Sequence, residues 1–204
     1  MIAHRGASAE LPENSLEALE HAVEVGADYV EFDVHADPRG SLVVTHDPPG
    51  EHREFPTLQE ALQAIAGRAG AMVELKHPYR YRRHDVVRRT LDLLGDGDVL
   101  ISFEPGALEQ AVHLRPRLRT IQHVGYGTSL RRASRYAWGA GFDDTTLTPR
   151  GLACARELGL ATTVYTVNDA VRMRELASLE VSGIFTDRPG LLRQVLDSLA
   201  EKPE

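Results

Sequence analysis

The sequence predicts an α/β fold, a compact (β/α)8 TIM barrel, and three observations lead to that fold class. Strand-like and helix-like segments alternate from one end of the 204 residues to the other. Counting each strand with the helix that follows it gives eight units, the number that closes a barrel of parallel strands. No linker or low-complexity tract interrupts the alternation, so we expect a single domain over residues 1–204. An open, doubly wound sheet has the same alternation and is the alternative.

The elements of the first half follow from the spacing of their apolar residues. Helix Ser15–Val25 has apolar residues at helical spacing, whereas strand Asp28–His35 alternates with period two. Strand Ser41–His46 is additional to the eight units, because it follows a strand directly. The basic run Arg80–Arg83 precedes a helix, and we expect it to be a solvated helix start. The predicted elements are strands Ile2–His4, Asp28–His35, Ser41–His46, Ala71–Lys76 and Val99–Ser102, with helices Ser15–Val25, Leu58–Ala66 and Asp85–Leu94.

The second half repeats the same alternation with shorter connections. Its predicted strands are Leu118–His123, Gly141–Thr145, Ala161–Val167 and Ser182–Thr186. Its predicted helices are Gly106–Leu114, Ser129–Trp138, Pro149–Glu157, Asp169–Leu176 and Arg188–Ala200. Gly141–Thr145 has the weakest strand pattern of the set.

Composition and charge exclude several classes of function. Hydrophobic residues make up 42% and charged residues 26%, as in an ordinary globular domain. The net charge of -7 disfavours non-specific binding to nucleic acid and to anionic membranes. Because Cys154 is the single cysteine, neither an intramolecular disulfide nor a zinc site with two thiolates can form. No apolar run has membrane-helix length and the first residues lack signal-peptide features, so we expect a cytoplasmic protein without integral membrane association.

Two predicted strands carry charged residues on one face. In Asp28–His35, side-chain alternation puts Glu31 and Asp33 on the same side, and in Ala71–Lys76 it does the same for Glu74 and Lys76. Inward-facing charges in a barrel must be solvated at its mouth, paired or bound to a metal. Three crowded carboxylates favour one divalent cation with oxygen ligands, Mg²⁺ or Ca²⁺. An internal salt bridge from Lys76 to Glu31 or Asp33 is the alternative.

Histidines and cations end strands at the same mouth. His4 and His46 close two predicted strands beside the carboxylates, where imidazole could transfer protons near neutral pH. Arg5 and Lys76 add positive charge, which indicates an anion site. No phosphate loop of the P-loop or dinucleotide-binding kind is present, so a nucleotide cofactor is not expected. The residues alone therefore predict a metal-assisted enzyme acting on an anionic phosphoester. His35, His77 and His123 also end strands and are weaker candidates.

The chain resembles the glycerophosphodiester phosphodiesterase family over almost its whole length. The segments that carry the resemblance fall in the order typical of the family. They are His4-Arg5-Gly6, Pro12-Glu13-Asn14-Ser15, Gly26-Ala27-Asp28, Val30-Glu31-Phe32-Asp33-Val34, Val43-Val44-Thr45-His46-Asp47, Glu74-Leu75-Lys76, Ser102-Phe103, Val164-Tyr165-Thr166-Val167-Asn168 and Gly183-Ile184-Phe185-Thr186-Asp187-Arg188-Pro189.

The resemblance implies a (β/α)8 barrel that hydrolyses glycerophosphodiesters to glycerol 3-phosphate and an alcohol. The positions that match the family's functional residues are His4 and His46 as the acid/base pair, Glu31, Asp33 and Glu74 as ligands of Mg²⁺ or Ca²⁺, Arg5 and Lys76 as phosphate-binding residues, and Tyr165 and Phe103 at the substrate pocket. In the family, the glycerol hydroxyl next to the phosphate attacks it, and water opens the cyclic intermediate. A small-molecule phosphodiester is the expected partner.

Four positions or segments are open to more than one interpretation. We expect Asn14 either to cap the first helix or to face the phosphate. We expect Asp187 to cap the last helix ahead of Pro189, outside the site. The family's longer cap after His46-Asp47 is reduced to a connection of residues 47–56, which puts glycerol specificity in question. Tyr165 stands where the family commonly has tryptophan.

Other functions were weighed against this one. A barrel isomerase or aldolase would not need two strand-end histidines with three carboxylates. A non-catalytic phosphoester-binding relative would be expected to lack one of these residues. A sphingomyelinase D-like enzyme shares the chemistry, but its disulfides cannot form with one cysteine. A phosphodiesterase of the same fold that acts on lysophospholipids, or on another phosphodiester, is the alternative within the same class.

Overall fold

The chain forms a closed barrel of parallel strands surrounded by helices, in a computed structural model that describes residues 1–50 and 54–201. The strands are β1 (Ile2–His4), β2 (Tyr29–Ala36), β3 (Leu42–Val44), β4 (Gly70–Leu75), β5 (Val99–Ser102), β6 (Arg119–His123), β7 (Gly139–Asp143), β8 (Ala161–Tyr165) and β9 (Gly183–Thr186). Among the described residues, eight of these strands are parallel neighbours, and β1 pairs with both β2 and β9. That double pairing closes the ring and excludes the open sheet.

Helices connect the strands and cover the outside of the barrel. They are α1 (Leu16–Glu24), α2 (Leu58–Ile65), α3 (Val86–Leu91), α4 (Pro105–Leu114), α5 (Leu130–Ala133), α6 (Pro149–Glu157), α7 (Ala170–Ser178) and α8 (Pro189–Ala200), with a 3-10 helix at Pro78–His84. None of the helices in the described ranges combines the length with the apolar character that crossing a bilayer requires.

Two connections differ from the sequence prediction. The helix predicted over Ser129–Trp138 ends at Ala133, because the chain must turn within a few residues to let the Trp138 amide donate to the Thr120 carbonyl at 2.9 Å. The basic run Arg80–Arg83 belongs to the 3-10 helix rather than to the start of an α-helix, although Arg80, Arg82 and Arg83 are exposed as expected.

Strand alternation separates two apolar layers. Inside the ring, Ile2, Met72 and Ile121 pack with other strand residues and fill the lower barrel. Outside it, Val30 and Phe32 pack against the helices. Because the barrel floor is apolar, the polar strand residues that follow it are left at the carboxyl ends of the strands.

β2 has eight residues and serves two pairings in succession. Its first residues pair in parallel with β1, and its last residues pair antiparallel with β3, where Val34 opposes Val44. β3 therefore lies beside the ring and not within it. The connection that returns to α2 passes Pro56, whose carbonyl accepts from the Val44 amide at 2.7 Å. Residues 51–53 of the predicted 47–56 connection lie outside the described residues.

Candidate active site

A cavity of about 250 Å³ opens at the carboxyl ends of the barrel strands. The predicted site residues that line it are His4, Arg5, Glu31, His46, Glu74, Lys76, Phe103 and Tyr165. Asp33 lies behind this lining, within the same carboxylate cluster as Glu31 and Glu74. His123, Thr166 and Phe185 also line the cavity, and of these only His123 was a candidate from the sequence. The fold thus gathers residues from distant parts of the chain at one mouth.

The three predicted metal ligands form a compact buried cluster. Glu31, Asp33 and Glu74 each offer one carboxylate oxygen, and these oxygens lie within 4.8 Å of one another. β2 and β4 bring them together because Asp33 is the register partner of Glu74 across the parallel pair. Alternation along β2 adds Glu31 one step lower on the same face. All three side chains are buried.

Arg5 and Lys76 place positive charge against this cluster. Lys76 Nζ lies 3.0 Å from Glu74 Oε1 and 3.2 Å from Asp33 Oδ1, and Arg5 Nε lies 3.0 Å from Asp33 Oδ2. The Arg5 guanidinium also pairs with Glu13 at 2.7 Å. The salt bridge of Lys76 to Asp33, which stood as the alternative to a metal cluster, therefore exists within that cluster.

The cations do not balance the three carboxylates. Burial would raise the pKa of Asp33, but Lys76 and Arg5 lower it below its usual range. Burial, reinforced by the charge of Asp33, raises the pKa of Glu74 to about 7. Burial and the neighbouring carboxylates Asp33 and Glu74 raise the pKa of Glu31 well above its ordinary value. Two cations thus face three carboxyl groups, and the ionised forms of Glu31 and Glu74 are disfavoured.

This excess fits a divalent cation. Glu31 Oε2 accepts one hydrogen bond, from the Arg5 amide at 3.1 Å, and the rest of its carboxylate faces the other two acids. The donor set contains only oxygen, which matches hard cations such as Mg²⁺ and Ca²⁺. A cation would remove the repulsion that raises the pKa of Glu31 and Glu74.

Asn14 does not cap the first helix, so that expectation was wrong, and its side chain bonds to Asp33. Its amide Nδ2 donates to Asp33 Oδ2 at 3.0 Å, and its Oδ1 accepts from the Asp33 amide at 3.2 Å. Ser15 caps α1 instead, through a side chain that accepts from the Ala18 amide. Asn14 therefore fixes the orientation of the Asp33 carboxylate. Backbone at a positive φ of 61° allows it to turn back toward β2.

Asp187 supports His4, and its predicted role as a helix cap was wrong. The N-cap of α8 is Arg188, which makes no side-chain capping bond. The Asp187 Oδ1 atom instead lies 2.7 Å from His4 Nδ1 and accepts from the Ser8 hydroxyl at 3.0 Å. Asn168 donates to the other carboxylate oxygen. Burial would raise the pKa of Asp187, but the hydrogen bonds from His4 and Asn168 lower it to about 2.

The pairing with Asp187 also fixes the tautomer of His4. A carboxylate can only accept, so Nδ1 carries the proton and Nε2 is left for a ligand. His46 has a similar partner, because its Nδ1 lies 3.0 Å from Asp47 Oδ1. The two pairs differ in setting, since Asp187 is largely enclosed whereas Asp47 projects into solvent.

Aromatic rings form the opposite wall of the cavity. The Tyr165 ring meets the His123 ring edge to face at 4.3 Å, and Phe103 and Phe185 pack around this pair. Burial lowers the pKa of His123 to about 3, so the ring is neutral. His123 Nε2 lies 3.9 Å from Glu74 Oε2. Gly141 leaves room for the His123 ring, because a Cβ at that position would lie 2.4 Å from His123 Nδ1.

The other strand-end histidines lie away from the cavity. His77 is exposed beside the 3-10 helix. His35 is buried between Tyr81 and the backbone of His46.

The model of the glycerophosphoryl diester phosphodiesterase family matches residues 4–64 and 48–191 of this sequence. The chain belongs to this family. The two matched stretches overlap at residues 48–64, which include the connection that follows His46 and most of α2. The fold class and the family expected from the sequence are therefore confirmed.

Individual family members extend over the whole barrel. A glycerophosphodiester phosphodiesterase of Bacillus subtilis (strain 168) is 28% identical over 249 aligned positions, which cover 95% of this chain and 85% of the relative. Because 249 positions exceed the 204 residues here, the relative contains residues that this family member lacks.

Solved structures of the family have the same architecture. A glycerophosphodiester phosphodiesterase from Parabacteroides distasonis is 26% identical with a TM-score of 0.86, covering 98% of this chain and 97% of its own. A phosphodiesterase from Oleispira antarctica, solved with its product sn-glycerol-3-phosphate, is 23% identical with a TM-score of 0.86 and a coverage of 96% on both sides. At 23% identity, the similarity to the Oleispira antarctica structure shows a shared fold.

Proposed function

We propose that this chain is a metal-dependent phosphodiesterase that hydrolyses glycerophosphodiesters to glycerol 3-phosphate and an alcohol. The observation that carries the proposal is the meeting of His4 and His46 with Glu31, Glu74 and Lys76 around one cavity. Family membership favours this chemistry, and the relatives named above include glycerophosphodiester phosphodiesterases. The substrate would be a small molecule, and the all-oxygen donor set supports Mg²⁺ or Ca²⁺ as the cofactor. We assign the protein to the cytoplasm, where its single thiol, Cys154, is stable without a partner.

Glu31, Asp33 and Glu74 would hold the cation. When bound there, a divalent cation supplies positive charge that offsets the carboxylates and polarises a phosphoryl oxygen. Asn14 keeps the Asp33 carboxylate in place through two hydrogen bonds. Arg5 and Lys76 lie at the edge of the cluster and line the cavity, so both can also interact with the phosphate.

His4 and His46 would move the protons. With Nδ1 of each ring turned to a carboxylate, each Nε2 is the atom available to the substrate. One ring would accept the proton of the attacking glycerol hydroxyl as its oxygen bonds to phosphorus, and the other would donate a proton to the leaving alcohol. Water would then open the cyclic phosphate to glycerol 3-phosphate, with the two rings exchanging their roles as acid and base. Asp187 would stabilise the imidazolium form of His4.

The alcohol side of the substrate would be open. Because the 47–56 connection is short, it supplies few contacts to the alcohol. Arg5, Lys76 and the carboxylates lie on the phosphate side, and the aromatic wall is the main apolar surface of the cavity. Remote contacts normally add to orientation at the reacting centre. We therefore expect high KM values and weak discrimination among alcohols, with lysophospholipid as an additional substrate to test.

The decisive experiment measures glycerol 3-phosphate released from glycerophosphocholine, glycerophosphoethanolamine and glycerophosphoglycerol. For one lysophospholipid, measured in parallel, the product is the acylated glycerol phosphate together with the free head-group alcohol. Activity should vanish after EDTA treatment and return with Mg²⁺ or Ca²⁺. Glu31→Ala and Asp33→Ala should abolish it, whereas Glu20→Ala, an exposed acid on α1, should leave it unchanged. Full activity after EDTA treatment would contradict the ligand assignment, and turnover of lysophospholipid alone would change the substrate class.

A further inference from the structure

We propose that Tyr81 and His35 form a positioning pair that holds His46 in place through its backbone. Neither residue lines the cavity. His35 lies at the end of β2, two residues beyond Asp33, and Tyr81 lies in the 3-10 helix Pro78–His84. The pair thus links the connection after β4 to the histidine that follows β3. This inference rests on the proposed function, because it assigns His46 a part in the reaction.

The hydrogen bonds of His35 determine which of its ring nitrogens carries the proton. His35 Nε2 lies 3.0 Å from the carbonyl oxygen of His46, and His35 Nδ1 lies 2.8 Å from the Tyr81 hydroxyl. A carbonyl can only accept, so Nε2 carries the proton. In the neutral ring Nδ1 is then an acceptor, and the Tyr81 hydroxyl donates to it. The His46 carbonyl therefore fixes the tautomer of His35, and the Tyr81 hydroxyl satisfies the remaining ring nitrogen.

The surrounding structure encloses this arrangement. His35 is 2% exposed. The Tyr81 ring meets the His35 ring edge to face, with centroids 5.7 Å apart. Arg89 of α3, the helix that follows, donates to the Gly40 carbonyl of the β2–β3 hairpin. The 3-10 helix, through Tyr81, and α3, through Arg89, therefore both bond to this hairpin.

His46 needs such a support because its other contacts are weak. The ladder between β2 and β3 ends at Val44, and the Thr45 amide makes one more bond, to the Asp33 carbonyl at 3.0 Å. Beyond that point, the imidazole of His46 has the solvent-exposed Asp47 as its partner. The bond from His35 orients the peptide group that follows His46, and so it sets the direction in which the chain leaves the site.

The test compares two substitutions of His35 with matched controls. Glutamine places an amide near the position of Nε2 and can still donate to His46, whereas asparagine places it near Nδ1 and cannot. We expect His35→Asn to lower kcat by about tenfold or more, with little change in KM, because small displacements of a catalytic group are costly. His35→Gln should restore kcat to within about threefold of the wild type. His77→Asn, at an exposed histidine whose ring lies 6.3 Å from that of His35, should have no effect.

A double substitution separates positioning from general stability. On a His46→Ala background, His35→Asn should cause no further loss in kcat, since there is no imidazole left to position. An equal loss on both backgrounds, or a His35→Gln variant as impaired as His35→Asn, would overturn the proposal. Thermal unfolding of each variant checks that the comparison is made between folded proteins.

The spectroscopic readout does not depend on turnover. Long-range ¹H–¹⁵N correlation spectra should place the proton of His35 on Nε2 in the wild type, and Tyr81→Phe should shift the ¹⁵N resonance of Nδ1, which loses its donor. A wild-type His35 protonated on Nδ1 alone would overturn the positioning pair, whatever the activity. If the wild type fails to hydrolyse any glycerophosphodiester, the proposed function fails, and the tautomer measurement still decides this inference.

Discussion

His4 and His46 meet at one cavity but stand on supports of different construction. His4 ends β1, a strand held on both sides within the barrel ring, and its imidazole bonds to Asp187, whose side chain is 29% exposed. His46 follows β3, which lies beside the ring, and its imidazole bonds to Asp47, whose side chain is 88% exposed. The difference indicates that one histidine is fixed by the fold and the other by local contacts that can be altered separately.

The largest expected effect would come from removing either imidazole. If both rings transfer protons, His4→Ala and His46→Ala should each lower kcat by about 10²–10⁴-fold, despite their different supports. Steady-state kinetics measure this, and circular dichroism should show an unchanged fold. A folded His46→Ala variant with near-normal turnover would remove His46 from the mechanism and turn the comparison into one between a catalytic and a structural histidine.

The next effect tests the half-buried support, Asp187. Asp187→Asn removes the charge that orients His4, and we expect a loss in kcat of about 10–100-fold, as for other groups that orient a functional histidine. Asp169→Asn is the matched control, because Asp169 caps α7 and asparagine caps almost equally well. An unchanged kcat in Asp187→Asn would mean that the barrel itself, without the carboxylate, suffices to hold His4.

Much of this arrangement could be predicted from the sequence, because it follows from local periods. Alternation in β2 placed Glu31 and Asp33 on one face, and the spacing in β4 added Glu74. Because His4 and His46 each end a predicted strand, both were expected at the mouth of the barrel. Each of these inferences needs only the residues of one element and the direction in which parallel strands end.

Contacts between distant elements were beyond local reasoning. The bond from Asp187 to His4 joins residues that are 183 positions apart, and it depends on the pairing of β1 with β9. An aspartate before Arg188-Pro189 has the pattern of a helix cap, so the local signal indicated the wrong role. The expectation that Asn14 caps α1 was wrong for the same reason, since its partner Asp33 lies on another element.

A smaller effect is expected at the wall of the cavity. Tyr165 belongs to the barrel, so Tyr165→Ala should enlarge the space for the alcohol without disturbing either histidine. We expect the ratio of kcat/KM between glycerophosphocholine and lysophospholipid to change several-fold, while the metal requirement stays the same. In the wild type, selectivity among the three glycerophosphodiesters should stay below about a hundredfold, or about 2.7 kcal/mol. A higher selectivity would require a pocket formed by residues not yet assigned.

The smallest effect is expected at the exposed support. Asp47→Asn should change kcat by less than about threefold, because an ion pair in solvent contributes little. The kcat of Asp47→Asn divided by that of Asp187→Asn, both measured at the same pH and salt concentration, gives the difference between the two supports. Equal losses in the two variants would show that exposure does not separate them.

The position of β3 beside the ring has a consequence for how such a protein can diversify. In the described parts of the connection from His46 to α2, residues 47–50 and 54–56, no residue belongs to a strand of the barrel ring, and α2 begins at a capping box of Thr57 and Glu60. Chain can therefore be inserted there at an entropic cost that grows slowly with length. A segment inserted into this connection would change which alcohols the enzyme prefers. The barrel residues that act on the phosphate would stay the same.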